Sequence, residues 1–281
     1  AVDVMVTIGP KFFYTRSLPC TLWFLDKAKA QNPTRADQTL MLDLREVYRK
    51  VSSNLHDFTP EHLQNIHAIV ALYRGDTTHF EKAVAEYRKK ADQALKEARE
   101  IISSMMKMDA PFEGFKLEVS DHPKLEIKQL KKVKGEVNAL LRHVNESTKE
   151  HLKNDKVKAD KELVKSLKDY KSDFTDSVKV FTDQADLAIY FEKEYIWMTS
   201  RFPDAEYTDV PGLCKVVNKE SIVANDYSLT AGRYVGVAPQ HDEDFDYEER
   251  MREVKTELAG LNDEAVELAQ KIQMDLEELG L

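Results

Sequence analysis

Three consecutive aromatic residues, Phe12, Phe13 and Tyr14, are the side chains best suited to hold a flat ligand. They stand between two strand-like apolar runs, in a connection of hairpin length. Aromatic rings at such a place usually fill a core or cover a sheet edge. The functional alternative is that one ring stacks on a planar group. The residues alone leave both interpretations open.

The residues that usually carry catalysis are not spaced for it. The eight histidines form no HExxH pair, so no metal site is predicted. Cys20 and Cys214 lack a nearby orienting histidine, and no serine lies in a nucleophile elbow, which leaves a hydrolase unsupported. No two of the nine glycines are separated by a single residue, and no two of the nine prolines are adjacent. This sequence therefore holds neither a glycine-rich cofactor loop nor a Pro-Pro loop.

Two stretches carry unbalanced charge. Residues 124–171 hold 14 basic and 8 acidic side chains at a helical apolar period. They suit a phosphate backbone or, as we favour, a solvated helix face. Residues 241–281 hold 14 acidic and 4 basic side chains, and their apolar heptad seam predicts a helix that docks on a partner helix rather than on this chain's own helices. The predicted contact residues are Met251, Val254, Leu258, Leu261, Leu268 and Ile272.

A few strands followed by helices must position these residues. Apolar runs at 2–8, 20–25 and 40–44 predict three strands from the middle of a covered sheet. From Thr59 and Pro60 the period is helical, and helices are predicted up to Gly75, from about 78 to 108, over 124–171 and over 173–199. Residues 203–240 predict an irregular segment that wraps over the helices. The predicted fold class is mainly α, a helical domain with a C-terminal coiled-coil-like helix and a few N-terminal strands.

The composition places the chain among globular proteins. It has 281 residues, of which 42% are hydrophobic and 32% charged, and a net charge of −9. No apolar run approaches the roughly 18 residues of a membrane span, which excludes a membrane protein. Two cysteines form no disulfide framework and indicate a reducing cytoplasm. The strand-like run directly after Ala1 suggests a chain cut from a longer protein.

Several segments resemble the modification subunit of type I restriction-modification enzymes. These subunits are adenine-N6 DNA methyltransferases that use S-adenosylmethionine. Two segments are long and specific, residues 8–27 (IGPKFFYTRSLPCTLWFLDK) and 225–235 (NDYSLTAGRYV), and shorter ones are 40–45, 56–59 and 71–75. Ala231 stands where the family is expected to have proline, so we expect a looser turn before Gly232. Residues from about 110 to 200 are not distinctive.

The resemblance implies a division of the chain. Residues 1–58 are expected to be the last strands of the methyltransferase catalytic α/β sheet, 59–202 a helical domain, 203–240 an irregular wrapping segment and 241–281 the acidic heptad helix. In the family the cofactor loop and an Asn-Pro-Pro-Phe tetrapeptide precede this portion. The chain alone is therefore expected to bind no S-adenosylmethionine and to be inactive.

The partners implied by the resemblance are the specificity subunit, DNA and, in the larger complex, the restriction subunit. The coiled coil of the specificity subunit is expected to receive the acidic heptad seam. Among the aromatic residues, Phe13 best matches the ring that stacks on the flipped adenine. The alternatives are a helical scaffold or adaptor without enzymatic activity, and a basic nucleic-acid-binding module.

Overall fold

The computed structural model describes residues 1–111 and 125–237, together with positions 251, 254, 255, 258, 262, 265, 266, 268 and 269. It forms two compact units. Residues 1–81 and 201–281 belong to the first, which we name the sheet unit, and residues 82–200 form the second, the helical unit. The four-part division made from the sequence stays a prediction.

The described ranges contain six strands and six α-helices. The strands are β1 (Val2–Ile8), β2 (Cys20–Leu25), β3 (Gln38–Leu44), β4 (Arg49–Lys50), β5 (His56–Asp57) and β6 (Cys214–Asn218). The helices are α1 (Pro60–Tyr73), α2 (Thr78–Met105), α3 (Ile127–His151), α4 (Asp155–Ala159), α5 (Lys161–Arg201) and α6 (Lys219–Ala224). A mainly helical chain with a few N-terminal strands is thus confirmed.

The main sheet has four strands in the order β2-β1-β3-β6. Its central strands β1 and β3 are parallel, whereas β2 and β6 run antiparallel to their neighbours. The three strands predicted from apolar runs are all present. β4 and β5 pair separately as a two-stranded ribbon.

The two central strands are buried on both faces, which explains why their sequences do not alternate. On one face Met5 and Met41 pack against Val217 and against the segment that contains Ala231, Tyr234 and Val235. The side chains of the opposite face are also buried, namely Val4, Val6, Leu40 and Leu42. The outer strand β2 differs, because Leu22, Trp23, Phe24 and Leu25 are 43%, 58%, 49% and 70% exposed.

Helix α1 begins and ends where the sequence predicts. The Thr59 side chain accepts a hydrogen bond from the backbone N–H of His62, and the His62 ring accepts one from the backbone N–H of Thr59. Pro60 occupies the first helical position. Gly75 follows the helix with a φ of +82°, a left-handed conformation that favours glycine.

Three sequence predictions about these segments are wrong. Residues 161–201 form one helix, α5, rather than a basic stretch to 171 and a new helix from 173. The reason is a cap: the Asp160 carboxylate accepts hydrogen bonds from the backbone N–H groups of Glu162 and Leu163, which starts the helix there. Residues 214–224, predicted to be irregular, form β6 and α6. Residues 231–235 cover the sheet, whereas the prediction placed them over helices.

The helical unit has a core of its own. Its buried residues come mainly from α2, α3 and α5, and include Ala94, Ala98, Val137, Val144, Leu167, Phe174 and Phe181. Lys134 is also buried and donates to the Asp186 carboxylate at 2.6 Å. None of the helices in the described ranges has both the length and the apolarity needed to cross a bilayer.

Candidate functional site

The parallel strands β1 and β3 end side by side, and ligands of open α/β sheets bind at such carboxyl ends. Ile8 and Leu44 are the last paired residues. Gly9 follows β1 directly, and a Cβ added to Gly9 would lie 3.1 Å from the carbonyl oxygen of Arg45. Glycine therefore permits the close approach of the two chain segments that leave the sheet. We name this region the carboxyl-end site.

A bidentate ion pair forms one wall of the carboxyl-end site. The Arg45 guanidinium donates to the Asp43 carboxylate from Nε at 2.9 Å and from Nη2 at 2.6 Å. Asp43 is buried and Arg45 is half exposed. The hydrogen bond that Asp43 accepts, followed by the negative charge of Asp43, raises the pKa of Arg45. The pair has no net charge, and its two hydrogen bonds fix the orientation of the guanidinium at the edge of the sheet.

Gly232 packs against this ion pair. A Cβ added to Gly232 would lie 2.5 Å from Arg45 Nη2 and 3.1 Å from Asp43 Oδ2. A larger side chain here would push the guanidinium away from its carboxylate. The segments 40–45 and 225–235, which carry the family resemblance, therefore contact each other at this point.

The loop between β1 and β2 is fixed to the β4–β5 ribbon. Lys11 has a φ of +72°, and its carbonyl accepts a hydrogen bond from the backbone N–H of His56 at 2.8 Å. Its ammonium donates to the carbonyl of Ser53 at 2.6 Å. The ring of Phe12 lies 4.6 Å from that of Phe58. These contacts attach the loop to the ribbon at the carboxyl end of β1.

The three consecutive aromatic rings therefore have different surroundings. Phe12 is half-buried in the ribbon contact, Phe13 is 47% exposed and Tyr14 is 91% exposed. A backbone bridge between Phe13 and Arg16 closes a tight turn around these residues. Phe13 is thus an accessible ring on a tight turn, and its role in stacking on a flat group stays a prediction.

His56 is the histidine closest to this loop. Its ring stacks on Tyr48, with centroids 4.1 Å apart and planes at 5°. Burial, followed by the positive charges of Lys11 and Lys50, lowers the pKa of His56, so the ring is neutral at pH 7. Within the described ranges no three His, Cys, Asp or Glu side chains are grouped to hold a metal ion.

A buried charge cluster at the start of β1 was not predicted from the sequence. Asp3 is fully buried, and its carboxylate accepts from Arg35 at 2.9 Å and from Arg74 at 2.8 Å. Tyr73 donates to it at 3.2 Å, and the Lys29 ammonium lies 3.8 Å away. The signal that was missed is an aspartate inside a strand whose other residues, apart from Thr7, are apolar.

The heptad seam is described at four of its six predicted contact residues. Met251, Val254, Leu258 and Leu268 are helical and are 46%, 41%, 58% and 58% exposed. Leu261 and Ile272 lie outside the described residues. The described seam side chains are thus apolar and accessible in this chain.

The comparisons with known proteins cover only part of the chain. The model of the N-6 DNA Methylase family matches residues 1–107. The HindI type I restriction enzyme methylase subunit of Haemophilus influenzae is 34% identical over 95 residues, which are 34% of this chain and 20% of that protein. The MjaIX methylase subunit of Methanocaldococcus jannaschii is 41% identical over 69 residues, 25% of this chain and 12% of that protein. No solved structure matches significantly.

The resemblance to type I modification subunits is confirmed, over part of the chain. The aligned regions span only 20% of the length of the HindI subunit and 12% of the length of the MjaIX subunit. The segment that matches the N-6 methylase family contains β1 to β5, α1, α2 and the site residues Phe13, Asp43 and Arg45. Gly232, β6 and most of the helical unit lie beyond it.

Proposed function

We propose that this chain is part of the modification subunit of a type I restriction-modification system in the cytoplasm. The whole protein would transfer a methyl group from S-adenosylmethionine to N6 of adenine in DNA. The observation that carries this proposal is the match of residues 1–107 to the N-6 DNA Methylase family. The carboxyl-end site within that segment, with an accessible aromatic ring beside it, gives further support.

Within the whole subunit, Phe13 would stack on the adenine after it is flipped out of the duplex. Its accessible ring on a tight turn supports this role. This chain alone would bind no S-adenosylmethionine and would transfer no methyl group, because its sequence has neither a glycine-rich loop nor adjacent prolines.

The chain would serve assembly with the specificity subunit. Apolar seam residues exposed at 41% or more on an acidic helix suit a basic or neutral partner helix. Each such side chain contributes roughly 1.5–3 kcal/mol when fully buried, although ordering costs offset part of it. The restriction subunit and DNA would join the complex formed in this way.

Co-purification with the specificity subunit of the same system tests this proposal. We expect the chain to be retained by a tagged specificity subunit, and a chain lacking residues 244–281 to be lost from it. Leu258→Asp should also abolish retention, because it would bury a charge in an apolar seam. Val266→Asp is the matched control, since Val266 is 57% exposed on the same helix but lies outside the seam.

Two outcomes would count against the proposal. Retention of the chain without residues 244–281 would place the interface elsewhere. Loss of retention with Val266→Asp to the same degree as with Leu258→Asp would mean that any added charge disturbs the helix. A methyl-transfer assay completes the test: the whole subunit with its specificity subunit should label adenine, and this chain alone should not.

A further inference from the structure

A groove lined by lysines lies in the helical unit, beyond the segment that matches the methylase family. The end of α3 and the residues after it supply Lys149 and Lys153 to one cavity, and α5 supplies Lys168 and Lys171. A second cavity shares Lys168 and adds three more, Lys158, Lys161 and Lys165. We name the surface formed by these seven residues the lysine groove.

The charge of the lysine groove is poorly compensated. Only two carboxylates line the two cavities, those of Glu146 and Asp169. Lys158 pairs with Asp155 at 2.8 Å. Within the described ranges the other six lysines form no ion pair. By contrast, Lys128 and Lys132 elsewhere on α3 pair with Glu126 and Glu136.

The lysines are presented by a rigid support. Val144 on α3 and Leu167 and Tyr170 on α5 are buried in the core of the helical unit, beside the groove. All seven lysines are exposed. Their aliphatic stems form the walls of the groove, while their ammonium groups remain at the surface.

The spacing of the lysines on α5 suits a regular linear anion. Lys161, Lys165 and Lys168 follow one another at intervals of four and three residues, so they lie on one helix face. From Lys161 to Lys171 the helix rises roughly 15 Å. Along one strand of B-DNA the phosphates repeat every ~3.4 Å of helix axis, so this face spans about four phosphates.

We propose that the lysine groove binds the phosphate backbone of double-stranded DNA without reading its sequence. The choice of DNA as the anion rests on the proposed function. The sequence alone favoured a solvated face for 124–171, and the collection of seven lysines around two cavities is what changes that interpretation. The groove would hold the duplex while the specificity subunit selects the site.

Fluorescence anisotropy with a labelled duplex of arbitrary sequence tests the groove. We expect the chain to bind such a duplex with an affinity that falls steeply with salt. The triple variant Lys161→Gln, Lys165→Gln, Lys168→Gln should bind about tenfold more weakly, and its log–log salt slope should shrink by about 0.9 for each phosphate that is no longer neutralised. The control triple variant Lys128→Gln, Lys131→Gln, Lys132→Gln changes the net charge equally and should bind nearly as the parent does.

Three results would overturn the inference. Equal weakening in both triple variants would show that net charge alone drives binding, and unchanged binding by the groove variant would show that the groove does not contact DNA. The third result is that DNA binds neither chain, whereas a peptide of residues 241–281 binds the parent chain and not the groove variant. The groove would then be a docking site for an acidic protein segment. Circular dichroism checks that both variants keep their helices.

The specificity-subunit experiment separates this inference from the proposed function. The groove variant should still be retained by the specificity subunit, because its substitutions lie outside the heptad seam. If the specificity subunit retains the chain but the groove variant binds DNA as tightly as the parent, only the inference about the lysine groove is rejected. A groove effect on DNA without retention of the parent chain would reject the assembly role and leave the groove in place.

Discussion

Asp3 shows how one buried charge can tie three parts of a chain together. Its carboxylate joins β1 to Lys29 and Arg35 in the β2–β3 connection and to Arg74 at the end of α1. Burial alone would raise the pKa of Asp3, but the hydrogen bond from Arg74 and the charges of Arg35, Arg74 and Lys29 together lower it below its ordinary value of 3.8. The carboxylate is therefore ionised in the folded protein at neutral pH.

Asp3→Asn should reduce the free energy of unfolding at pH 7 by about 3–5 kcal/mol, because it leaves buried cations without their carboxylate. Since the folded pKa lies below the unfolded one, the contribution of Asp3 is complete above pH ~4 and is lost as the pH falls through the folded pKa. Urea titrations at pH 7 and pH 3 should thus show parent and variant converging on acidification.

Asp57→Asn is the control for this cluster. Asp57 also has a lowered pKa, mainly through its hydrogen bond from Arg49, but its side chain is 39% exposed. A surface ion pair of this kind contributes about 0–1 kcal/mol. Equal losses of stability in Asp3→Asn and Asp57→Asn would contradict the structural role of the buried cluster.

Phe13 is the residue whose role depends most on the proposed function. In the whole subunit, Phe13→Ala should remove about 1–3 kcal/mol of stacking on the flipped adenine, whereas Phe13→Trp should keep most of it. Fluorescence of 2-aminopurine placed at the target adenine reports that base outside the stack. Tyr14→Ala is the control, because Tyr14 is 91% exposed. If Tyr14→Ala loses the stacking and Phe13→Ala does not, Tyr14 is the stacking ring and the role proposed for Phe13 is wrong.

The bounds of a helix or strand could be predicted from the sequence where neighbouring residues set its ends. Thr59, Pro60 and Gly75 set the bounds of α1 through caps that are readable in the sequence. β1, β2 and β3 were likewise predicted from local signals, namely their apolar runs. β6 was missed because its five residues become a strand only by pairing with β3, as in Gln38 with Asn218, far away in the sequence.

The candidate site was predictable only in part, again because of distant contacts. The three aromatic residues were singled out by their place between two strand-like runs, and the family resemblance named Phe13 among them; the structure puts Phe13 on the loop that follows β1. The sequence did not say that Phe12 would be held against Phe58 while Phe13 stays accessible. The contact of Gly232 with the Asp43–Arg45 pair was missed because Gly232 lies almost two hundred residues further along the chain.

In the order of the chain, the helical unit is one continuous insertion between the two segments of the sheet unit. The chain leaves the sheet unit after Glu81 and returns at Arg201. On the sheet-unit side of these two points, the rings of Phe80 and Phe202 pack against each other with centroids 6.4 Å apart. The outgoing and returning segments of the chain therefore start and finish close together.

Residues 82–200 therefore form one continuous insertion that a short linker could replace. A linker of about four glycine and serine residues reaches ~13 Å, enough to bridge neighbouring chain ends. Replacing 82–200 by such a linker should leave a sheet unit that melts in one cooperative transition, followed by circular dichroism. A shortened chain without such a transition would show that the insertion is needed to fold the rest. If residues 82–200 are separable in this way, the proposed DNA contact of the lysine groove could be altered or removed without rebuilding the sheet unit.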